Sequence, residues 1–182
     1  MSVQCSVFIA TSLDGFIARK NGSLDWLPGS DGEGGGEDYG FGEFFASIDT
    51  LVMGRKTYEL ALTFKEWPYR GKSVIVLSSA FSKELKGLNE GVKGTSSPPA
   101  ELIRHLASSG SENVYVDGGK TIQSFLQAEL IHTMTITRIP VLIGEGIPLF
   151  GPLARDIQLQ HLWTRGYESG FVQSKYKVAP AA

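Results

Sequence analysis

Short apolar runs alternate with amphipathic stretches along most of this chain. Val7-Phe8-Ile9-Ala10, Thr50-Leu51-Val52-Met53, Ser73-Val74-Ile75-Val76-Leu77 and Asn113-Val114-Tyr115-Val116 are compact and largely apolar. That is the pattern of strands buried on both faces of a sheet. Between them, helical spacing predicts a short helix over Lys56 to Leu62 with Tyr58, Ala61 and Leu62 inward. It predicts a second over Pro99 to Ser108, with Leu102, Ile103 and Leu106 inward and prolines at the start, where they are tolerated. A third covers Thr121 to Gln127, with Ile122, Phe125 and Leu126 inward. Tyr39, Phe41, Phe44, Phe45 and Ile48 form a looser helical stripe despite Gly40 and Gly42. His132 to Ile139 alternates as a strand, and the tail carries Ile157 to Trp163 and then a hairpin, Thr164 to Tyr167 against Gly170 to Val178. Residues 29–36 are too rich in glycine for a helix and read as a loop, either a plain surface connection or a lid. Residues 80–97 read as a surface turn and a short strand.

Strands that alternate with helices and end in hairpin strands predict an α/β fold: a central, mostly parallel mixed sheet flanked by helices, with antiparallel strands at one edge. A chain of 182 residues without a linker-like segment predicts one domain over residues 1–178 and a frayed tail at 179–182. The formal net charge of -2 argues against a broad nucleic-acid or membrane surface, so positive charge that matters must be local. The start lacks a basic leader and no apolar run approaches a membrane span, which predicts a cytoplasmic protein. Cys5, the single cysteine, lies in an apolar run and reads as a small core residue. His105, His132 and His161 show no ligand spacing, and no metal site is predicted.

Chemistry concentrates in turns at the ends of the apolar runs: Gly54-Arg55-Lys56-Thr57, Ser78-Ser79, Gly118-Gly119-Lys120-Thr121 and the glycines Gly144 and Gly146. In a parallel sheet these turns share one edge, where helix N-termini offer unpaired N–H groups and glycine lets a phosphate approach. Each turn alone could simply cap a helix; together they predict a phosphate-bearing small-molecule ligand. The chain lacks G-x-x-x-x-G-K-[ST], G-x-G-x-x-G and G-x-S-x-G, which argues against a P-loop NTPase, an ordinary dinucleotide crossover and a serine hydrolase.

The ordered set Ala10-Thr11-Ser12-Leu13-Asp14-Gly15-Phe16-Ile17-Ala18, Asp25-Trp26-Leu27, Met53 to Glu59, Val76 to Ser79, Asp117 to Thr121 and Pro140 to Phe150 resembles the dihydrofolate-reductase-like superfamily. It is most similar to the branch containing the C-terminal reductase domain of riboflavin-biosynthesis proteins, over residues 3–176. The resemblance implies the three-layer fold of that superfamily, NADPH as cofactor and an oxidoreductase activity. It places the nicotinamide carboxamide on the backbone of Ala10 and Ile17. The 2'-phosphate and pyrophosphate fall to Gly54, Arg55, Lys56 and Thr57, the adenosine to Ser78 and Ser79, and a second phosphate turn to Gly118, Gly119, Lys120 and Thr121. Gly144 and Gly146 form the closing loop. Thr11, Ser12, Trp26, Phe41 and Phe44 border the substrate, with Asp38 and Asp14 as the catalytic carboxylate candidates. Asp14 reads equally as a turn residue, and Glu37 and Asp38 as helix-start charges.

Two departures separate the chain from folate reductases: the glycine-rich segment replaces their acidic loop, and Lys72 stands where they carry a tail-clamping arginine. The expected activity is hydride transfer from NADPH to a C=N or C=O bond of a pteridine-like or ribosylaminopyrimidine molecule, like 5-amino-6-(5-phosphoribosylamino)uracil reductase. Dihydrofolate reduction and non-catalytic NADPH binding are the alternatives. The only further partner expected is a second copy in a homodimer.

Overall fold

The computed structural model describes residues 2–29, 36–79 and 91–179. Most of the glycine-rich loop and of the 80–97 segment lies outside these residues. Ten strands and four helices are assigned among them: β1 Gln4–Ser12, β2 Phe16–Ala18, α1 Phe41–Ala46, β3 Thr50–Gly54, α2 Arg55–Ala61, β4 Ser73–Leu77, β5 Val92–Thr95, α3 Pro99–Ser108, β6 Asn113–Asp117, α4 Gly119–Gln127, β7 Thr133–Ile139, β8 Ile147–Pro148, β9 Leu159–Gly166 and β10 Val172–Val178. Eight strands form one sheet in the order β5-β4-β3-β6-β1-β7-β10-β9, and β2 and β8 pair separately. The sheet is parallel from β5 to β7, and β10 runs antiparallel to both its neighbours.

Strand alternation sorts the core into two faces. Leu51, Met53, Val74, Val76 and Tyr115 point toward α1 and α2, where they meet Tyr58 and the half-buried Phe44 and Phe45. Cys5, Val7, Val52, Ile75, Val114, Val116, Met134 and Ile136 point the other way, onto Leu102 and Leu106 of α3 and Ile122, Phe125 and Leu126 of α4. Two helices on each face of one sheet make three layers, as expected from the sequence. Burial pushes the Cys5 thiol up to about 12, in keeping with an inert core residue.

Four expectations change. Leu62 is 50 % exposed rather than inward, because α2 ends one residue earlier. β7 does not alternate between core and solvent: as an interior strand it also buries Thr135 and Thr137. The tail strand begins at Leu159, so the hairpin is longer than its glycine turn suggested. Ala179 is tied by its N–H to the Gln158 carbonyl instead of fraying, and residues 180–182 lie outside the described residues.

Candidate functional site

The site begins where two parallel strands part. β1 pairs with β6 only from Gln4 to Ser6, then follows β7 as far as Ser12, while β6 follows β3 as far as Asp117. A crevice therefore opens between β1 and β6 toward their C-terminal ends, on the path where the chain crosses from β6 through α4 to β7. Gln4 bonds toward β6 and Cys5 toward β7, so the alternation aims the peptide groups of Phe8 and Ala10 into the crevice. The Tyr115 hydroxyl donates to the Phe8 carbonyl at 2.9 Å, replacing one lost ladder bond. Ala10, two residues on, presents its backbone to the same crevice.

Both glycine turns, Gly54 to Thr57 and Gly118 to Thr121, reach this edge and interlock. A Cβ on Gly118 would come 2.5 Å from Thr57 Oγ1, and one on Gly54 3.0 Å from Thr121 Oγ1. Gly118 also sits at φ 91°, in the region that favours glycine. The N-terminal ends of α2 and α4 thus lie side by side, with Lys56 and Lys120 exposed and Arg55 bonded to Glu59 at 2.7 Å. Gly119 differs from its expected part. Its missing side chain makes room for protein, since a Cβ would meet Ile17 Cδ1 at 3.0 Å, Ile147 Cγ2 at 3.1 Å and the Pro148 carbonyl at 3.2 Å. Gly146 likewise packs against the Ala18 carbonyl. Gly119 seats the small β2–β8 sheet on α4, and Gly146 lets the segment before β8 approach β2. Ser78 and Ser79 follow β4 at the same edge, with the Ser78 N–H on the Thr95 carbonyl.

The carboxylates sort by environment. Asp14 accepts from Ser12 Oγ at 2.5 Å, from the Gly144 N–H at 2.8 Å and from the Ile143 N–H at 3.3 Å. The Ser12 bond foremost holds its carboxyl below the usual range. Asp14 therefore fastens the loop after β7 to the turn after β1, and Ser12 is fully buried. Thr11 is 3 % exposed and shares its strand face with Val7 and Ile9, away from α1. Both side chains are taken up by the fold. Asp38 accepts the Gly40 and Gly42 N–H groups at 2.9 and 3.0 Å, which lowers its carboxyl. It secures the start of α1 as an ionised group, a poor proton donor.

Sequence reasoning passed over Asp117. It ends β6 on the same strand face as Tyr115, and burial pushes its carboxyl up to about 6 against the lowering effects of the Gly118 N–H and Tyr115 hydroxyl. Burial first, and then the nearby Asp117 charge, raise the Tyr69 and Tyr115 hydroxyls. The available signal was an acidic residue directly before Gly-Gly at the end of a buried strand. Such a shift at a strand end marks a functional candidate.

Aromatic rings wall this side of the crevice. Phe44 stacks on Phe8 at 5.0 Å and meets Tyr115 edge-on at 5.1 Å, and Phe41, 37 % exposed, lies 5.5 Å from Phe8. Trp26 packs with Ala10, Ile139 and Phe171, and its buried indole N–H has no hydrogen-bond partner among the described residues. Tyr39 adopts φ 54°, held by Gln173 on its carbonyl and by the Tyr167 and Phe171 rings. Among the described residues no cluster of metal-binding side chains occurs, and no helix is long and apolar enough to cross a membrane.

Comparison with known proteins agrees with this geometry. The RibD C-terminal domain model matches residues 4–172. YwjB of Bacillus subtilis (strain 168), an uncharacterized protein, is 32 % identical over 88 % of this chain and 90 % of its own length. A solved Shewanella sp. PV-4 protein provisionally assigned to riboflavin biosynthesis is 39 % identical, covers 97 % of this chain and 99 % of its own, and superposes with a TM-score of 0.88. A Thermotoga maritima diaminohydroxyphosphoribosylaminopyrimidine deaminase/5-amino-6-(5-phosphoribosylamino)uracil reductase shares the fold at TM-score 0.71 and 12 % identity, over 98 % of this chain and 57 % of that one.

Proposed function

Because the chain belongs to the RibD C-terminal domain family, we propose that it is an NADPH-dependent reductase of a flat nitrogen heterocycle of the pteridine or aminopyrimidine type. The observation that carries this reading is the parting of β1 from β6 at the edge where the two glycine turns interlock, with Asp117 at its lip. A dinucleotide fits the residues present: the N-terminal ends of α2 and α4 are brought together where Gly54 and Gly118 meet Thr121 and Thr57, and Arg55, Lys56 and Lys120 supply positive charge in a chain of net charge -2. When bound, NADPH supplies the hydride.

The chain's own residues do the remainder. The Ala10 peptide groups orient the ring in the crevice, and the N-terminal end of α4 with the cationic turn holds the phosphates. Rings of Phe8, Phe41, Phe44 and Trp26 exclude water on the acceptor side. Reduction of a C=N or C=O bond also needs a proton on the heteroatom. Asp117, its carboxyl pushed up to about 6, holds one below that pH and in a minor fraction at neutrality, with the Tyr115 hydroxyl beside it. Dihydrofolate is the weaker acceptor, because Lys72 gives its ammonium to the Ile48 carbonyl at 2.5 Å and lies 5.0 Å from the Phe45 ring centre.

The test is NADPH consumption with a ribosylaminopyrimidinone, its ribitylamino counterpart and dihydrofolate as acceptors. Turnover of a pyrimidine acceptor is expected. Turnover of dihydrofolate alone would reverse the assignment, and tight NADPH binding with no turnover of any acceptor would favour a non-catalytic binder.

A further inference from the structure

The helix that carries Phe41 and Phe44 does little to hold itself in place. α1 has six residues, none of them buried, and no side-chain cap at its start. A helix this short is marginal on its own. Phe44 and Phe45 pack onto the sheet at half-buried positions, whereas Phe41, its first residue, is 37 % exposed. The chain entering α1 takes a form that an ordinary side chain resists: Tyr39 at φ 54° and Gly40 at φ 80° are both left-handed. A residue such as Tyr39 stays there only where its surroundings fix it. Asp38 bonds the Gly40 and Gly42 N–H groups, but it belongs to the same segment and does not fix that segment against the sheet.

The outside anchor comes from β10. Gln173 is 2 % exposed, and its amide nitrogen donates to the Tyr39 carbonyl at 3.0 Å and to Thr137 Oγ1 at 2.9 Å. Its amide oxygen accepts from the Tyr167 hydroxyl at 3.1 Å. A carbonyl can only accept, so Tyr39 selects the orientation of this amide. The turn between β9 and β10 closes on the Tyr39 ring as well. Tyr167 meets the ring edge-on at 4.8 Å, Phe171 stacks on it at 5.0 Å, and Ser169 Oγ accepts its hydroxyl at 3.2 Å. Ala10, Thr137 and Gln173 stand in one row across β1, β7 and β10. A buried amide roughly 10 Å from the crevice backbone therefore ties the ring-bearing segment to the sheet that lines the crevice. A fully satisfied buried polar group specifies one arrangement of its neighbours.

We infer that Gln173 is a positioning residue for the acceptor: acting through Tyr39, it sets where Phe41 and Phe44 stand over the crevice. The consequence for the acceptor rests on the reading of the site as a reductase crevice; the anchoring of α1 does not.

Two variants test it. Gln173→Met keeps the length of the side chain and removes all three hydrogen bonds, and Tyr167→Phe removes one and keeps the ring. Both are assayed with NADPH and the pyrimidine acceptor at a temperature where circular dichroism shows them folded. Gln173→Met is expected to raise the KM for the acceptor roughly tenfold or more and to leave that for NADPH within about twofold. Tyr167→Phe should move the same constant in the same direction by less. A merely structural role would lower kcat through the amount of folded enzyme and leave both KM values in place. That result would overturn the inference, as would an equal rise in both KM values. If Gln173→Met does not fold, an unchanged acceptor KM in Tyr167→Phe overturns it. Amide exchange without substrate separates the anchor from the reductase reading. The Phe41 and Phe44 N–H groups, bonded to the Asp38 and Gly40 carbonyls, should exchange roughly tenfold faster in Gln173→Met, with Val52 and Val116 unchanged. If the native chain reduces no acceptor, the reductase reading falls, and unchanged exchange at Phe41 and Phe44 would still overturn the anchoring role of Gln173.

Discussion

Asp117 shows how placement alone shifts the titration of an ordinary carboxyl. Its carboxyl lies near 6 because burial disfavours the charge more than the Gly118 N–H and Tyr115 hydroxyl favour it. A group meant to give up a proton should lose effect as pH rises through that value. Asp117→Asn should lower turnover roughly 10²- to 10⁴-fold and flatten the limb of the pH–rate profile near pH 6; an unchanged profile would remove Asp117 from the chemistry. Stability should move the other way. The folded state binds this proton more tightly than the unfolded state does, so stability falls as pH rises from 3.8 to about 6 and stays lower above. The asparagine variant escapes that loss and should be more stable at neutral pH by at most about 3 kcal/mol, checked by denaturation at two pH values. The residue was hard to see in sequence because one aspartate before two glycines looks like turn chemistry. Asp14 and Asp38 looked better there, but each turned out to accept backbone N–H groups that fasten a loop or a helix start.

At the scale of elements, the small β2–β8 sheet rests on the start of α4. Gly119 permits its close approach to α4, and Gly146 the approach of its two strands to each other, at contacts that a side chain would occupy. Gly119→Val is therefore expected to destabilise the fold by roughly 1–3 kcal/mol and to displace β2 and β8, rather than only to obstruct a phosphate. Thermal denaturation measures the first effect, and loss of amide protection at Ile17 and Ile147 the second. A variant with full stability and weakened NADPH affinity would restore the simpler reading. The strands β1, β3, β4 and β6 were legible because each is a compact apolar run. α3 and α4 were legible because their apolar positions recur at helical spacing. β8 has two residues and β2 three, too short for any periodicity, and their pairing depends on glycines whose role is a distance rather than a pattern.

At the scale of the molecule, the sheet ends in an unprotected edge. All eight residues of β9 are exposed, including Leu159, Leu162 and Trp163, and Arg165 is its only full charge. Long apolar edges of this kind invite pairing with another chain. If the expected homodimer forms, this edge is its natural seam: sedimentation should give a dimer for the native chain and a monomer for Leu162→Lys, Trp163→Glu. A dimer in both would place the contact elsewhere. The same distribution along the chain made the glycine turns legible in the sequence and hid the aromatic wall of the crevice. Phosphate turns repeat a small set of residue types at strand ends, whereas the acceptor wall is assembled from rings distant in sequence. If one NADPH lies across the interlocked turns with its extra phosphate at Arg55, the preference for NADPH over NADH depends on that side chain. Titration of the native chain and of Arg55→Ala with NADPH and with NADH tests this directly. The native protein should prefer NADPH, and the variant should lose roughly 1–3 kcal/mol of NADPH binding with little change for NADH. Equal affinities in the native chain, or equal losses in the variant, would contradict it.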